Sequence, residues 1–513
     1  MKTAFLAKAA HGLMCALVAL YAACILVLSI GHTIPLAALL AAAAIIFALL
    51  LLGSRRFGAW GLSVSAEPDR LSPRVFWASA GLCALCLCVY LAGFYPGGFS
   101  SDTVIQWIQI EAFEFDNHHP ALHTLMLYAL TRICDHPVFV LGAQLLCYAL
   151  AVGYMAAVLR RWRFPRPLWL LSVAYLCLSP AICNMMSFLW KDCAFAICAL
   201  FLAAQILEIH CSRGAWLSRP PHIAALGLTL CLASILRHNG PALTLPAAVW
   251  LLISFPGQFK RLGASLLTAV LLFAAVKGPL YSAFDVAPTA GSTSETFGLP
   301  MVVLTHVYAE APQSLDEETV AYLNRIADWQ TYYDHDAVGD WNEIKWYLGD
   351  YDISEYTLLQ IFGFALRAAR AEPQLALEAL AGLWQMPLLP FGDSYWRMSP
   401  YVDPHFYDYH QTGIPIVHRV LNALCRYSAE PAVSWLFWNP GFFLLLVMLA
   451  CALFALHRPL SALTLPAMLI CYDLVTSLVL SSPTDFRFYI STPMLFPLCL
   501  AVLLARAGGK EAP

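Results

Sequence analysis

The sequence predicts an all-α polytopic membrane protein with about 12 transmembrane helices and a mostly helical extracytoplasmic domain. Three observations predict it. Apolar runs of roughly 17–25 residues, long enough to cross a bilayer as helices, recur along the whole chain. Of the 513 residues, 60% are hydrophobic and 12% charged, which is about half the charged share of a soluble protein and too little to cover a core in water. Lysine and arginine gather in every second loop, as the positive-inside rule describes.

The first run begins near Gly12, behind Lys2 and Lys8, and reads as a retained start-anchor, since no small-residue cleavage site stands before Gly31. Spans are expected near 12–30, 34–52, 76–94, 137–159, 168–186, 192–209, 221–236, 241–256, 262–281, 433–456, 460–480 and 488–506. Arg55, Arg56, Arg70 and Arg74 follow the second span, and Arg160, Arg161, Arg163 and Arg166 the fourth. Arg213 and Arg219 follow the sixth, Lys260 and Arg261 the eighth, His457 and Arg458 the tenth, and Arg506 and Lys510 the last. One orientation satisfies all these loops: both termini cytoplasmic, the chain in the cytoplasmic membrane, and the large loops outside.

The organisation expected is an N-terminal hairpin with its loop (1–75), a transmembrane core (76–281) containing a first outer loop (95–136), an extracytoplasmic domain (282–430) and C-terminal transmembrane helices (431–513). In the outer domain, Ser314-Leu-Asp-Glu317 reads as a capping box opening an amphipathic helix through Trp329. Leu375–Leu389 reads as an interfacial or packing helix, because Glu378, Trp384 and Pro387 interrupt it.

Composition also excludes. A net charge of -3 lacks the basic surplus of a nucleic-acid binder. The 17 cysteines lie almost wholly in apolar runs, where they act as small hydrophobes, and the large polar segment holds only Cys425, so no disulfide framework is expected.

The first outer loop carries most of the candidate chemistry. Tyr95-Pro-Gly-Gly98 ends the third span, and Ser100 or Ser101 can cap a short helix with Asp102 in its first turn. Two readings of Asp102 stand together: an acid favouring a helix N-terminus, and a general base toward a lipid-borne substrate. Asp116, His118, His119 and His123 follow. His119 and His123 are one helical turn apart, but the metalloprotease Glu is missing, so packing and hydrogen bonding are expected and no metal or other cofactor. Trp190-Lys191-Asp192, Arg237-His238-Asn239-Gly240 and Asp485-Phe486-Arg487 stand at outer helix ends, where convergence builds a site for an anionic headgroup and isolation leaves snorkelling anchors. Asp334-His335-Asp336 with Asp340 lacks EF-hand spacing and reads as solvated charge. The run Tyr395-Trp396-Arg397 through His405, Tyr407, Asp408 and His410 suits either sugar stacking or the domain's own core.

Tyr95-Pro-Gly-Gly with Asp102, the Asn117-His-His-Pro120 turn and the three helix-end groups resemble, in order from about residue 76 onward, an uncharacterised bacterial multi-pass family. That family is similar to the GT-C superfamily of membrane glycosyltransferases, which includes the protein mannosyltransferases and the lipid A aminoarabinose transferases. The resemblance implies a GT-C-like fold, a polyprenyl-phosphate-sugar donor, and a lipid, glycan or protein acceptor outside the cytoplasmic membrane, in cell-envelope assembly. It implies Asp102 as catalytic base with inversion at the sugar carbon, and Lys191, Arg237 and Arg487 around the lipid phosphate. Tyr95, Asp116, His118, His119, Asp192 and Asn239 complete the expected substrate site. Two extra spans precede the catalytic loop, and Asp102 lacks an adjacent acidic partner, Glu111, Glu114 and Asp116 being the nearest. A polymerase or ligase of surface polysaccharide is the nearest alternative. A transporter or flippase is a third, disfavoured because the spans carry few charges, Glu208 and Asp473 among them, and no internal repeat.

Overall fold

The computed structural model describes residues 2–30, 36–65, 68–288, 297–326, 333, 338–341, 344, 356–391, 399–406, 409–479 and 485–507. The chain is an all-α multi-pass membrane protein. Its first helices are α1 (Lys2–Ile30), α2 (Leu36–Phe57), α3 (Pro73–Gly93), α4 (Ser101–Ala112), α5 (Ala121–Thr131) and α6 (Pro137–Arg161). They are followed by α7 (Arg166–Leu178), α8 (Pro180–Met186), α9 (Lys191–Cys211), α10 (Pro220–Ile235), α11 (Pro241–Ser254) and α12 (Phe259–Ala275).

All twelve expected spans are helical, but they are not twelve equal crossings. Among the described residues nine helices are long and apolar enough to cross a bilayer, the last three being Pro440–His457, Leu460–Leu478 and Phe486–Leu504. The run expected at 168–186 is the pair α7 and α8, bent by 54° at Ser179 because Pro180 cannot continue a helical ladder. Helices α10 and α11 hold 16 and 14 residues, and each opens on a proline. At about 1.5 Å per residue neither reaches across a full hydrocarbon layer of roughly 30 Å. The span expected at 433–456 is shortened to start at Pro440, where Asn439 caps the Phe442 N–H.

Helix α9 runs through the centre of the bundle and is its most enclosed span. Small residues permit close approach. A Cβ on Gly153 of α6 would lie 2.7 Å from the Phe76 carbonyl and 2.9 Å from Ala80, so α3 and α6 touch nearly backbone to backbone.

The basic loops meet at one end of this bundle. Leu62–Val64 pairs in parallel with Ala505–Ala507, a pairing too short to announce itself in the sequence. Arg458 donates to the carbonyls of Leu503, Gly58 and Trp60. Asp69 takes Arg160 at 3.1 Å and Arg163 at 2.7 Å, and Glu208 takes Arg161 at 2.9 Å. His210 meets Ser461, and the Trp250 indole donates to Leu460. Loops that share a charge thus share a place, and the candidate residues named above lie at the other helix ends.

At that opposite end sits a helical lobe. Its core gathers Met301, Leu304, Tyr322, Leu323, Ile361, Phe364, Ala379 and Leu383. Helix Pro373–Leu383 is a packing helix, with Ala376, Ala379 and Leu383 buried, and Trp384 donates to the Ser477 carbonyl. The expected capping box is corrected. Asp316, not Ser314, caps Glu317–Ile326 by accepting from the Thr319 N–H at 2.9 Å, while Ser314 turns back to the Ala311 carbonyl. Trp329, Asp334, His335, Asp336, Tyr395, Trp396, Arg397, Tyr407 and Asp408 lie outside the described residues. Where the aromatic run is described it divides: Phe406 packs on Phe99 and Trp107 at the first outer loop, while His405 and His410 are exposed.

Candidate functional site

The segment that ends α3 is threaded between two others. Gly98 donates to the Ser187 carbonyl at 2.8 Å and accepts from Leu189 at 3.0 Å. Phe99 exchanges two hydrogen bonds with Tyr401 and Asp403, each 2.8 Å. Glycine is required here, since a Cβ on Gly98 would sit 2.4 Å from the Phe188 ring. That ring stacks on Trp190 with centroids 4.0 Å apart, and the Trp190 indole donates to Ser100 Oγ at 2.6 Å. Thr103 Oγ1 donates to the Leu189 carbonyl. These ties fix the first turn of α4 against the first turn of α9, and so Asp102 against Lys191.

Asp102 Oδ2 accepts from Lys191 Nζ at 2.8 Å and from Arg487 Nη1 at 3.2 Å. Arg487 also places Nε 2.7 Å from Asp485 Oδ2 and lies over the Trp190 and Phe488 rings. The side chains of Asp102, Lys191 and Arg487 are 21%, 16% and 17% exposed, so a ligand can reach them. Beneath them Arg237 faces Asp192 at 3.1 Å, the pair being 5% and 1% exposed. Arg237 further donates to the Tyr472 hydroxyl at 2.8 Å and the Phe488 carbonyl at 3.1 Å. Three carboxylates (Asp102, Asp192, Asp485) thus balance three cations (Lys191, Arg237, Arg487).

The Asn117–Pro120 turn lines one side. Asp116 closes it by accepting from the His118 N–H at 2.8 Å. His119 Nδ1 lies 3.0 Å from Lys191 Nζ. An ammonium has only donors, so Nδ1 accepts and the ring proton sits on Nε2, a buried atom without a protein partner. The His118 carbonyl meets His238 Nε2 at 3.1 Å, and Asn117 Oδ1 meets Lys277 Nζ at 3.4 Å. His123 turns away to Gln106 at 3.1 Å, so the three histidines diverge. Asn239 donates to Thr476 at 2.9 Å, on the Arg237 side. Tyr95 gives its carbonyl to the Thr412 N–H and leaves its side chain exposed.

Of the residues the sequence singled out, the fold joins Asp102, His119, Lys191, Asp192, Arg237 and Arg487 into one charge network. Asp116, His118 and Asn239 shape its walls, and Tyr95 stands apart. Glu111, an alternative acid, lies nine residues beyond Asp102, roughly 14 Å along α4. There it lines a cavity of about 330 Å³ with Tyr128, Arg132 and Asp135. Sequence reasoning missed Tyr472 and Lys277. Lys277 had a signal, being the only charge in the run 262–281.

Burial works against ionisation of Asp102, but the Lys191 ammonium and the Arg487 guanidinium prevail and hold its carboxyl well below the usual carboxylate range. Burial, joined by the Lys191 charge, pushes both His119 and His123 down to about 3. Unfolding returns these histidines to an ordinary value near 6.5, so between about 6.5 and about 3 the unfolded chain binds the extra protons. Their stabilising contribution is therefore complete above about pH 6.5 and is lost as pH falls. The melting temperature of the purified protein is expected to drop between about pH 7 and about pH 5. It is expected to drop less in the double variant His119→Gln/His123→Gln. An identical slope in the two proteins would place the acid sensitivity elsewhere.

Residues 111–338 match a family of unknown function (DUF6020). The matched stretch holds the Asn117–Pro120 turn, Lys191, Asp192, Arg237 and Lys277, whereas Asp102 and Arg487 fall outside it. With its many apolar helices, the chain fits an uncharacterised membrane family. No curated protein and no solved structure matches it.

Proposed function

We propose that the chain is a GT-C-type membrane glycosyltransferase, moving a sugar from a polyprenyl-phosphate carrier to an extracytoplasmic acceptor in cell-envelope glycan or glycolipid assembly. The observation that carries this reading is Asp102 held by Lys191 and Arg487 at a ligand-accessible helix end, remote from the arginine-rich loops. By the positive-inside rule that end faces outward.

The arrangement supplies the two things such a transfer needs. As folded, Asp102 is a poor base, because two cations stabilise its charge. A phosphate oxyanion seated on Lys191 and Arg487 draws both away from Asp102 and raises its basicity where the acceptor arrives. The acceptor hydroxyl then gives its proton to Asp102 while its oxygen bonds to the anomeric carbon. The bond from that carbon to the phosphate oxygen breaks, and its electron pair leaves with the lipid phosphate. Lys191 and Arg487 take up the charge that grows on the leaving group. One displacement inverts the sugar carbon. Arg237 holds Asp192 and the Phe488 backbone, and so positions Arg487 rather than touching the phosphate.

The test is transfer of radiolabelled sugar in membranes from polyprenyl-linked donors, offered with one phosphate and with two. Label is expected in an acceptor fraction only when the chain is present. Failure across several donor sugars, with the protein abundant and folded, would remove the glycosyltransferase reading.

A further inference from the structure

The reacting cluster is charge-balanced, so its cations are all engaged with carboxylates. Next to it stands a cation that is not. Helix α12 passes at Val276–Leu280 into a wider turn, because Pro279 lacks an N–H and its ring pushes off the preceding carbonyl. Lys277 lies within this turn, and the helix continues to Ala283. Its ammonium has a long contact to Asn117 Oδ1 at 3.4 Å and lies 4.8 Å from the Tyr281 ring centroid. No carboxylate reaches it among the described residues. An ammonium has three protons to donate, and these two contacts leave capacity for an anion.

The Asn117–Pro120 turn ties Lys277 to the reacting cluster. Asn117 meets Lys277, His118 meets His238 and His119 meets Lys191, each in succession. His238 thus stands on the turn residue that lies between those meeting Lys277 and Lys191. Asn117 and His119 are two residues apart, at most about 7 Å along the chain. A row of basic groups therefore runs from Arg487 through Lys191 and His238 to Lys277. Its far end stands beside the exposed apolar side chains Val270, Leu271 and Phe273 of α12, the face that meets lipid.

We infer that Lys277 forms a second phosphate subsite at the lipid-facing end of this row, so that the site takes a diphosphate in preference to a monophosphate. The inference rests on the glycosyltransferase reading for its choice of a lipid carrier, the nearer phosphate lying on Lys191 and Arg487.

The experiment measures binding to the full-length protein in nanodiscs, with no sugar on the probes. Wild type is expected to bind polyprenyl diphosphate roughly tenfold or more tighter than polyprenyl phosphate, the worth of one further charge-assisted hydrogen bond. Lys277→Met is expected to lose that preference while its monophosphate affinity stays within about twofold, which also shows a folded site. Lys277→Arg is expected to keep the preference. Inorganic pyrophosphate against inorganic phosphate separates the sources. A preference seen only with the lipid pair assigns the subsite to a membrane carrier, and one seen equally with the soluble pair assigns it to free diphosphate. No preference in wild type, or an unchanged one in Lys277→Met, overturns the inference and leaves Lys277 a snorkelling anchor. Absent sugar transfer with the preference intact sinks the glycosyltransferase reading and spares the subsite.

Discussion

Asp102→Asn is expected to lower sugar transfer by roughly 10²–10⁴-fold, the usual worth of a general base, while the protein accumulates as wild type does. Asparagine keeps an oxygen for Lys191 and fits the same space, so the change removes charge and basicity but little packing. The competing role, an acid at a helix N-terminus, is worth only about 0.3–1 kcal/mol of stability. Activity and melting temperature therefore part company if Asp102 is the base, and fall together if it is only a cap. The pH profile separates the readings further. A base must be deprotonated, so activity is lost as pH falls through its pKa. In the free protein Lys191 and Arg487 hold that value well below the ordinary range. In the complex the phosphate competes for both cations, so the acid limb of kcat is expected at higher pH than the acid limb of kcat/KM. Coincident limbs would mean that the phosphate does not unpair Asp102. Transfer by Asp102→Asn equal to wild type would remove Asp102 from the chemistry altogether.

The membrane character of the chain could be read from its sequence, because about 20 consecutive apolar residues have few other uses. The positions of the helices could also be read, and so could the grouping of basic loops, since both are local patterns. What stayed hidden depends on partners distant in the chain. Lys191 lies 89 residues from Asp102 and Arg487 lies 385, and no spacing rule relates them. Charged groups at three helix ends were visible. That each cation would be answered by a carboxylate was not, because it depends on which helix packs beside which. The break at Ser179 was masked by an apolar run that continues past Pro180, whereas the bounds of α10 and α11 were legible to within two residues. The cap on Glu317–Ile326 was misplaced because Ser314 and Asp316 both suit the role, and only the path of the preceding turn decides between them. Lys277 went unnoticed for a similar reason. A single charge in an apolar run gains meaning only once the fold sets Asn117 beside it.

Arg237→Met is expected to destabilise the protein by about 3–5 kcal/mol, the penalty for stranding one member of a buried ion pair. Asp192 is 1% exposed, and its oxygens have no hydrogen bond to fall back on once the guanidinium 3.1 Å away is gone. The reverse change, Asp192→Asn, is expected to be milder, because Arg237 retains the Tyr472 hydroxyl and the Phe488 carbonyl. Replacing both partners by apolar groups, Arg237→Met with Asp192→Leu, strands neither charge and is expected to recover most of the loss. Thermal unfolding of the three variants in one detergent measures this order, and an Arg237→Met protein as stable as wild type would show that the pair holds nothing together. The double variant then assigns Arg237 its role. If the guanidinium serves only to neutralise Asp192, sugar transfer returns as stability does. If transfer stays lost in a double variant as stable as wild type, the guanidinium itself is needed, and the donor to the Phe488 carbonyl that helps to aim Arg487 is what the double variant still lacks.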